Sequence, residues 1–491
     1  MQKVSRRRTT RPLLWCVLGA AVAITAWQVL VPPIVGLADQ GDFARIIGPF
    51  GYGPAEKSPD LKFMYVVRRY VPDRTFRYPE WEQPTSEYLF TSAAVTLNRL
   101  VSRSGEFDLT VMGAVHALAF LTAFARLLWA IRRLRAAPVI WLLALLALTD
   151  AGYAAYWNSF YAEPASCIFF LLLIGESIDI SQSPRPCAAQ LTRWSLWAVL
   201  WVLAKAQNAP VGLILALFAL RLAWWARKRT PRIVAAAGSA AIAAAAFFML
   251  STIPDRVRWV AGYDMLFRSI IPESHDPAAD LATFGLDPSL ARYRGTWAEG
   301  QPFYAMVTAG IFDRQATPFA IARFYLLRPA RLWKHLKVML RSTFLLRDFY
   351  GNFEKAAGYP PATQSRAFTA WSAFHTHVLA RAGRGILFLL LLAAIAVAAL
   401  WFRARGIRRR HLEWFALLLL SCLAALFTVV LGDCWDNIKH FYMFNLLLDA
   451  CLISLAAQLT AVPLSKRRSA WRRYRTPPRL SPCLRDESEA R

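Results

Sequence analysis

Long apolar runs recur along the chain and predict membrane-spanning helices. The first run, at residues 13–35, follows a cluster of lysine and arginine between positions 3 and 11. A helix of about 20 apolar residues crosses the hydrocarbon core of a bilayer. Further runs lie at 109–131, 139–155, 165–178, 194–204, 210–225, 233–253, 386–402, 414–431 and 441–461. The pattern therefore predicts an all-α polytopic membrane protein with about ten transmembrane helices.

The polar segments between the runs predict the orientation of these helices. When the spans alternate in direction, the basic clusters fall on one side of the membrane, which is typical of the cytoplasmic side. These clusters contain Arg132, Arg133 and Arg135; Arg185 and Arg193; Arg227, Lys228, Arg229 and Arg232; Arg403, Arg405 and Arg408 to Arg410; and the tail from Lys466. We expect both termini in the cytoplasm and the protein in a bacterial inner membrane.

Two long polar segments interrupt the apolar runs on the opposite side. We predict a basic cytoplasmic N-terminus (1–12), an N-terminal module of about seven spans (13–253) with an outer loop at 37–108, a non-cytoplasmic loop domain between spans seven and eight (254–385), C-terminal transmembrane helices (386–461) and a basic cytoplasmic tail (462–491). In 322–341, apolar residues three to four apart alternate with Arg and Lys. This spacing indicates helices that lie near lipid headgroups or pack on the rest of the loop domain.

Composition agrees with the membrane class and narrows the partners. Hydrophobic residues make up 56% of the 491 residues, and 19 are Trp, which is unusual for a soluble domain. The formal net charge of +27 raises the question of nucleic acid binding. The Lys and Arg residues lie in short clusters between apolar runs, so we interpret them as topology signals. We expect a lipid bilayer as partner, and no nucleic acid.

Two acids follow directly on the first predicted span. Asp39 and Asp42 flank Gly41 in a segment that emerges on the outer side of the membrane. Carboxylates tethered at this surface are candidates for general acid or base chemistry on a substrate presented there. The simpler alternative is that they are solvated loop acids.

Three further outer segments carry unusual polar residues. Pro164 sits where a helix should begin, which places Glu163 at a helix N-terminus and favours its charged form. Lys205 breaks the positive-inside pattern, so a ligand phosphate or carboxylate is one explanation and a snorkelling side chain is another. Lys439 and His440 form either a ligand-binding pair or a surface pair. Neighbouring polar candidates in these segments are Asn158, Tyr161, Gln207 and Asp436. Helices of one bundle can bring the segments together.

The order of these features resembles the polytopic glycosyltransferases of the C superfamily. More narrowly, the motifs are similar to those of bacterial membrane proteins named as glycan-biosynthesis hexose transferases. They are Gly41-Asp42-Phe43, Asn158-Ser159-Phe160-Tyr161-Ala162-Glu163-Pro164, Lys205-Ala206-Gln207, Asp276-Pro277-Ala278-Ala279-Asp280-Leu281 and Lys439-His440-Phe441-Tyr442-Met443-Phe444-Asn445. The resemblance covers roughly residues 10 to 460.

The resemblance implies transfer of a sugar from a polyprenyl-phosphate donor to a cell-envelope glycan or lipid acceptor on the non-cytoplasmic side. It assigns the general base to Asp42, with Asp39 as the second choice, and gives Glu163 a role in orienting the acceptor or holding a divalent cation. The donor phosphate falls to Lys205, Lys439 or His440. The motif offers one acid where the commonest superfamily form has an adjacent acidic pair, so the requirement for a metal stays open.

Two other classes of function remain. A transporter or flippase of lipid-linked sugars would need charged residues along a path between the two faces, whereas the predicted spans carry few central charges. Arg126 and His116 are the main exceptions. A structural partner of a polysaccharide assembly machine would tolerate the loss of Asp42.

Overall fold

The computed structural model describes residues 2–102, 104–183, 185–226, 228–434 and 438–461. These residues are mostly helical. The α-helices are α1 (Gln2–Leu30), α2 (Glu87–Val101), α3 (Leu109–Ile131), α4 (Ala137–Leu148), α5 (Ala151–Ala154), α6 (Glu163–Gln182), α7 (Ala188–Val202), α8 (Ala209–Trp225), α9 (Arg229–Ser251), α10 (Asp255–Tyr263), α11 (Pro277–Thr283), α12 (Gly300–Thr308), α13 (Ile311–Arg314), α14 (Pro318–Leu326), α15 (Pro329–Met339), α16 (Ala370–Phe374), α17 (Gly383–Arg403), α18 (Ile407–Val430) and α19 (Tyr442–Ala461). A small antiparallel sheet contains β1 (Tyr52–Pro54), β2 (Arg69–Pro72) and β3 (Phe107–Asp108), in that order.

The helix lengths confirm an all-α polytopic membrane protein. Within the described residues, eight helices are long and apolar enough to cross a membrane, and a bent pair raises the number to nine. The sequence predicted about ten spans, and the run at 194–204 is the one that falls below this length. That run lies in α7, which has 15 residues. At about 1.5 Å per residue α7 is shorter than the roughly 30 Å hydrocarbon core, yet it returns the chain from the end of α6 to the level of Glu163, which Lys205 contacts.

The bend lies in the third predicted span. Helix α4 and the segment Ala151–Trp157 meet at 52°. The carboxylate of Asp150 lies at this break and accepts hydrogen bonds from the backbone N–H groups of Gly152, Trp371 and Ser372 at 2.8, 2.9 and 3.0 Å. It therefore satisfies donors that the interrupted helix leaves open and ties the break to the start of α16.

The buried side chains form two clusters. The main cluster runs through the long helices and also includes Phe344, Tyr350 and Trp371 from the segment between α15 and α17. A second cluster contains residues from Tyr263 to Tyr325. Helices α10 to α14 thus pack around an apolar centre of their own. The predicted division of the chain into five parts stays a prediction.

Asn158 fixes the path of the chain as it leaves α1. Its side chain is fully buried, and its Nδ2 donates to the carbonyl oxygens of Val29 and Val35 at 3.0 and 2.9 Å. A side chain at Gly36 would bring its Cβ within 2.8 Å of the Asn158 carbonyl oxygen, so the close approach requires glycine. This contact directs the segment that carries Asp39 and Asp42.

A buried acid and histidine connect α2, α3 and α6. Glu87 Oε1 lies 2.6 Å from His116 Nε2, and Glu87 Oε2 accepts from the Ala165 backbone N–H at 2.9 Å. His116 Nδ1 lies 2.8 Å from the carbonyl oxygen of Trp157. Both side chains are fully buried. The pair therefore anchors the N-terminal turn of α6, which begins with Glu163.

We expect Glu87→Ala to lower the free energy of unfolding by about 3 kcal/mol, because it leaves buried polar groups of His116 and Ala165 without their partner. Thermal unfolding of the detergent-solubilised protein measures the effect. The exposed Glu56 provides the control, and Glu56→Ala should change stability by less than about 0.5 kcal/mol. Equal melting temperatures for the two variants would show that the Glu87–His116 pair contributes nothing net.

Candidate active site

A cavity of about 100 Å³, partly open to solvent, lies where five segments meet. These are the loop after α1, the start of α6, the turn between α7 and α8, the junction of α9 with α10, and the turn before α19. The lining residues are Asp42, Arg45, Ile46, Trp81, Gln83, Pro84, Thr85, Phe160, Tyr161, Ala162, Glu163, Ala204, Lys205, Met249, Pro254, Val257 and Lys439. The structure thus brings together five of the residues that the sequence singled out.

Asp42 lies at the entrance to a short 3-10 turn and is surrounded by cationic and amide donors. Lys439 Nζ contacts its Oδ2, and Gln40 Nε2 donates to the same oxygen at 2.7 Å. Arg45, three residues further along the turn, lies 3.2 Å from Oδ1. Both carboxylate oxygens therefore have partners, and 21% of the side chain remains exposed to the cavity.

Glu163 and Lys205 form the second ion pair of the cavity. Glu163 is the first residue of α6 and is followed by Pro164, as the sequence predicted. Its Oε1 accepts from Lys205 Nζ at 2.6 Å. The Glu163 side chain is 3% exposed and the Lys205 side chain 21%, so Lys205 is the more exposed residue of the pair.

Tyr161 organises the floor of the cavity. Its hydroxyl donates to the Ala38 carbonyl oxygen at 2.9 Å and accepts from the Gln40 backbone N–H at 3.1 Å. Lys439 Nζ lies 4.6 Å from the centre of its ring, which adds a cation–π contact to the Asp42 pair. Lys439 is 2% exposed. The aromatic ring and the carboxylate together hold this buried ammonium group.

Burial and neighbouring charges shift the pKa values of three groups at the cavity. Burial alone raises the pKa of Asp42, but the charges of Arg45 and Lys439 and the hydrogen bonds outweigh it and hold that pKa well below 3.8. Burial raises the pKa of Asp39 to about 6, although the N–H groups of Gly41 and Phe43 partly offset it. Burial also lowers the pKa of Lys205 from 10.5; Glu163 opposes this shift and Lys439 adds to it. The two ammonium groups therefore repel each other.

Other predicted residues lie outside this lining. Asp39 Oδ1 accepts from the backbone N–H groups of Gly41 and Phe43 at 2.6 and 3.1 Å, so it shapes the loop that presents Asp42. Gln207 is half-buried, and its neighbour Asn208 donates from its side-chain amide to the carbonyl oxygen of Trp201 at 2.8 Å.

His440 is also not among the residues that line the cavity. The His440 imidazole contacts the carboxylate of Asp433. Asn158 does not line the cavity, because its side chain donates to the backbone carbonyl groups of Val29 and Val35 near the end of α1. Asp436 lies outside the described residues.

Two charged or aromatic lining residues, Arg45 and Trp81, were not singled out from the sequence. The spacing could have identified Arg45, because a cation three residues after Asp42 on a helical turn lies beside its carboxylate. The sequence around Trp81 gives no comparable indication of a role in the cavity. The guanidinium carbons of Arg45 and Arg256 lie 5.0 and 5.1 Å from the Trp81 ring centre. Trp81 thus connects the loop between α1 and α2 to α10.

The donor set does not suit a divalent cation. Mg²⁺ and Ca²⁺ bind carboxylate, carbonyl and water oxygens. The carboxylates of Asp42 and Glu163 already contact ammonium and guanidinium groups of the chain. Across the described parts of the chain, no group of three or more His, Cys, Asp or Glu residues is placed to hold a metal ion.

The long apolar helices of the described residues define an integral membrane protein, and the family match places it in the glycosyltransferase-C-like class. The chain belongs to the family described as the YfdI N-terminal transmembrane domain, whose family model matches residues 2–476. The superfamily resemblance that the motifs indicated is confirmed. A comparison with curated proteins gives no significant match.

Two solved structures of the Archaeoglobus fulgidus oligosaccharyltransferase show a low similarity in fold. The first, tethered through a disulfide to an acceptor peptide with the NVT sequon, has 12% identity and a TM-score of 0.41 over 91% of this chain and 50% of that one. The second, AglB with an inhibitory peptide and a dolichol-phosphate, has 12% identity and a TM-score of 0.40 over 93% and 52%. The chain spans about half the length of these proteins.

Proposed function

We propose that the protein is a membrane glycosyltransferase that moves a sugar from a polyprenyl-phosphate donor to a cell-envelope glycan or lipid acceptor. The observation that carries the proposal is the pairing of two carboxylates with two lysines in one cavity, Asp42 with Lys439 and Glu163 with Lys205. Membership in a glycosyltransferase-C-like family supports it. We place the cavity on the non-cytoplasmic side, with both termini in the cytoplasm of a bacterial inner membrane.

Asp42 is the proposed general base. The acceptor hydroxyl attacks C1 of the sugar, the C1–O bond to the phosphate breaks, and the hydroxyl proton passes to the Asp42 carboxylate. A carboxylate with a low pKa is a weak base. It suits a reaction whose transition state has oxocarbenium character, because the proton is lost late, as the acceptor oxygen becomes positive.

Lys205 and Lys439 are the proposed phosphate ligands. The breaking C1–O bond leaves its electron pair on the phosphate oxygen, and preorganised cations stabilise the charge that develops there. The mutual repulsion of the two ammonium groups supports this role, because an anion between them relieves it. Glu163 positions Lys205 through the 2.6 Å contact.

The proposal is tested with the purified protein in liposomes that contain a polyprenyl-phosphate sugar, labelled in the sugar, and a lipid-linked oligosaccharide acceptor. We expect release of polyprenyl phosphate and appearance of label on the acceptor in equal amounts. Movement of the intact labelled lipid across the liposome membrane without transfer would instead establish a flippase.

The pH dependence of transfer separates Asp42 from Asp39 as the base. Asp39 loses its proton as the pH rises through about 6, so a reaction that needs its carboxylate accelerates up to that pH. Asp42 is ionised throughout this range, because its pKa lies well below 3.8. We therefore expect kcat/KM to stay level between about pH 5 and 7. A rise of about tenfold per pH unit below 6, absent in Asp39→Asn, would assign the base to Asp39.

A further inference from the structure

The carboxylates of the cavity already have cationic partners that belong to the chain. Lys439 and Arg45 contact the two oxygens of Asp42, and Lys205 contacts Glu163 at 2.6 Å. Divalent cations such as Mg²⁺ require carboxylate, carbonyl or water oxygens as ligands. An ion bound between Asp42 and Glu163 would displace these contacts and lie among three positive side chains.

Asp39, which precedes Asp42 in the same loop, is also engaged through one carboxylate oxygen. Asp39 Oδ1 accepts two backbone N–H groups, at 2.6 and 3.1 Å, and these contacts form the turn that presents Asp42. Lys439 has little freedom to leave, since it is 2% exposed and lies over the Tyr161 ring as well as against Asp42. The buried ammonium group is therefore a fixed part of the cavity wall.

On the basis of the function proposed above, we propose that Lys439 and Lys205 take the place of a divalent cation in this chain, so that sugar transfer requires no metal. When the donor phosphate enters, the two ammonium groups donate hydrogen bonds to its oxygens. Arg45 and Gln40 continue to hold Asp42 in its ionised form. As the C1–O bond breaks, the ammonium protons stabilise the phosphate charge without a change in oxidation state or loss of a proton.

The test uses the full-length protein in nanodiscs after treatment with a chelator. Transfer in excess EDTA should stay within about twofold of transfer with Mg²⁺ or Mn²⁺, because the phosphate ligands are side chains. Titration with Mn²⁺ alone, followed by electron paramagnetic resonance, should show no bound ion whose signal changes in Asp42→Asn. Loss of transfer in EDTA that Mn²⁺ restores, or a bound Mn²⁺ that disappears in Asp42→Asn, would overturn the inference.

A lysine variant adds a second readout. Lys439→Met keeps an unbranched side chain of similar length but removes the ammonium group. It should reduce transfer about tenfold or more, and Mn²⁺ should not restore transfer. Rescue by Mn²⁺ would contradict the inference, since it would show that the position accepts a metal ion. If no donor supports transfer, the proposed function fails, and the Mn²⁺ titration still decides whether the cavity binds a metal.

Discussion

Replacement of Asp42 by Asn should reduce sugar transfer about a thousandfold, because the amide cannot accept the acceptor proton at neutral pH. The change is nearly isosteric, so the side chain still fits between Gln40 and Arg45. It removes the negative charge that Lys439 faces, which adds a stability cost that thermal unfolding measures separately.

The measurement is release of polyprenyl phosphate in liposomes, at a temperature at which both proteins remain folded. Asp60→Asn is the matched control, since Asp60 is an exposed acid of the same loop and does not line the cavity. We expect it to retain wild-type turnover. Equal turnover of Asp42→Asn and the wild type would remove Asp42 from the reaction and leave Asp39 as the candidate.

The meeting of Asp42, Glu163, Lys205 and Lys439 was predictable because membrane topology constrains loops strongly. Apolar runs alternate in direction, so the sequence alone assigns each connecting segment to one end of the bundle. Charged groups at one end of a helical bundle then lie within reach of each other. Topology does not tell which carboxylate contacts which lysine, because ion pairs depend on the rotation of each helix about its axis and on the conformation of each turn.

The roles of the amides could not be predicted for a related reason. Gln207 and Asn208 are adjacent in one 3-10 turn, and only the phase of that turn determines that Asn208 Nδ2 reaches the Trp201 carbonyl oxygen and Ser166. Asn158 carries the same sequence signal as a ligand-binding amide, but it binds the backbone at the exit of α1. An amide side chain in a loop therefore indicates that a hydrogen bond is made there, but the sequence does not show whether the partner is a ligand or the protein backbone.

The count of spans and the position of Trp81 illustrate a second limit. The run at 194–204 forms α7, which is shorter than the other long helices, yet the contact of Lys205 with Glu163 shows that α7 returns to the level of the start of α6. Length alone therefore does not decide how a short apolar run is used. The contacts of Trp81 with Arg45 and Arg256 join segments far apart in the sequence, so no local pattern contains them.

Replacement of Lys205 by Met should reduce kcat/KM for the donor about a hundredfold, because the phosphate loses one of its two ammonium ligands. KM for the acceptor should stay within about twofold, since Lys205 acts on the leaving group. Initial rates with donor and acceptor varied independently separate the two effects. Lys57→Met, an exposed lysine paired with Asp73, is the matched control.

The same variant distinguishes a phosphate ligand from a structural partner of Glu163. Glu163 is 3% exposed, so the loss of Lys205 leaves a buried carboxylate without its cation. Glu163→Gln combined with Lys205→Met removes both charges and should restore the melting temperature without restoring use of the donor. Recovery of turnover in this double variant would show that Lys205 serves only to neutralise Glu163, because phosphate binding requires the ammonium group itself.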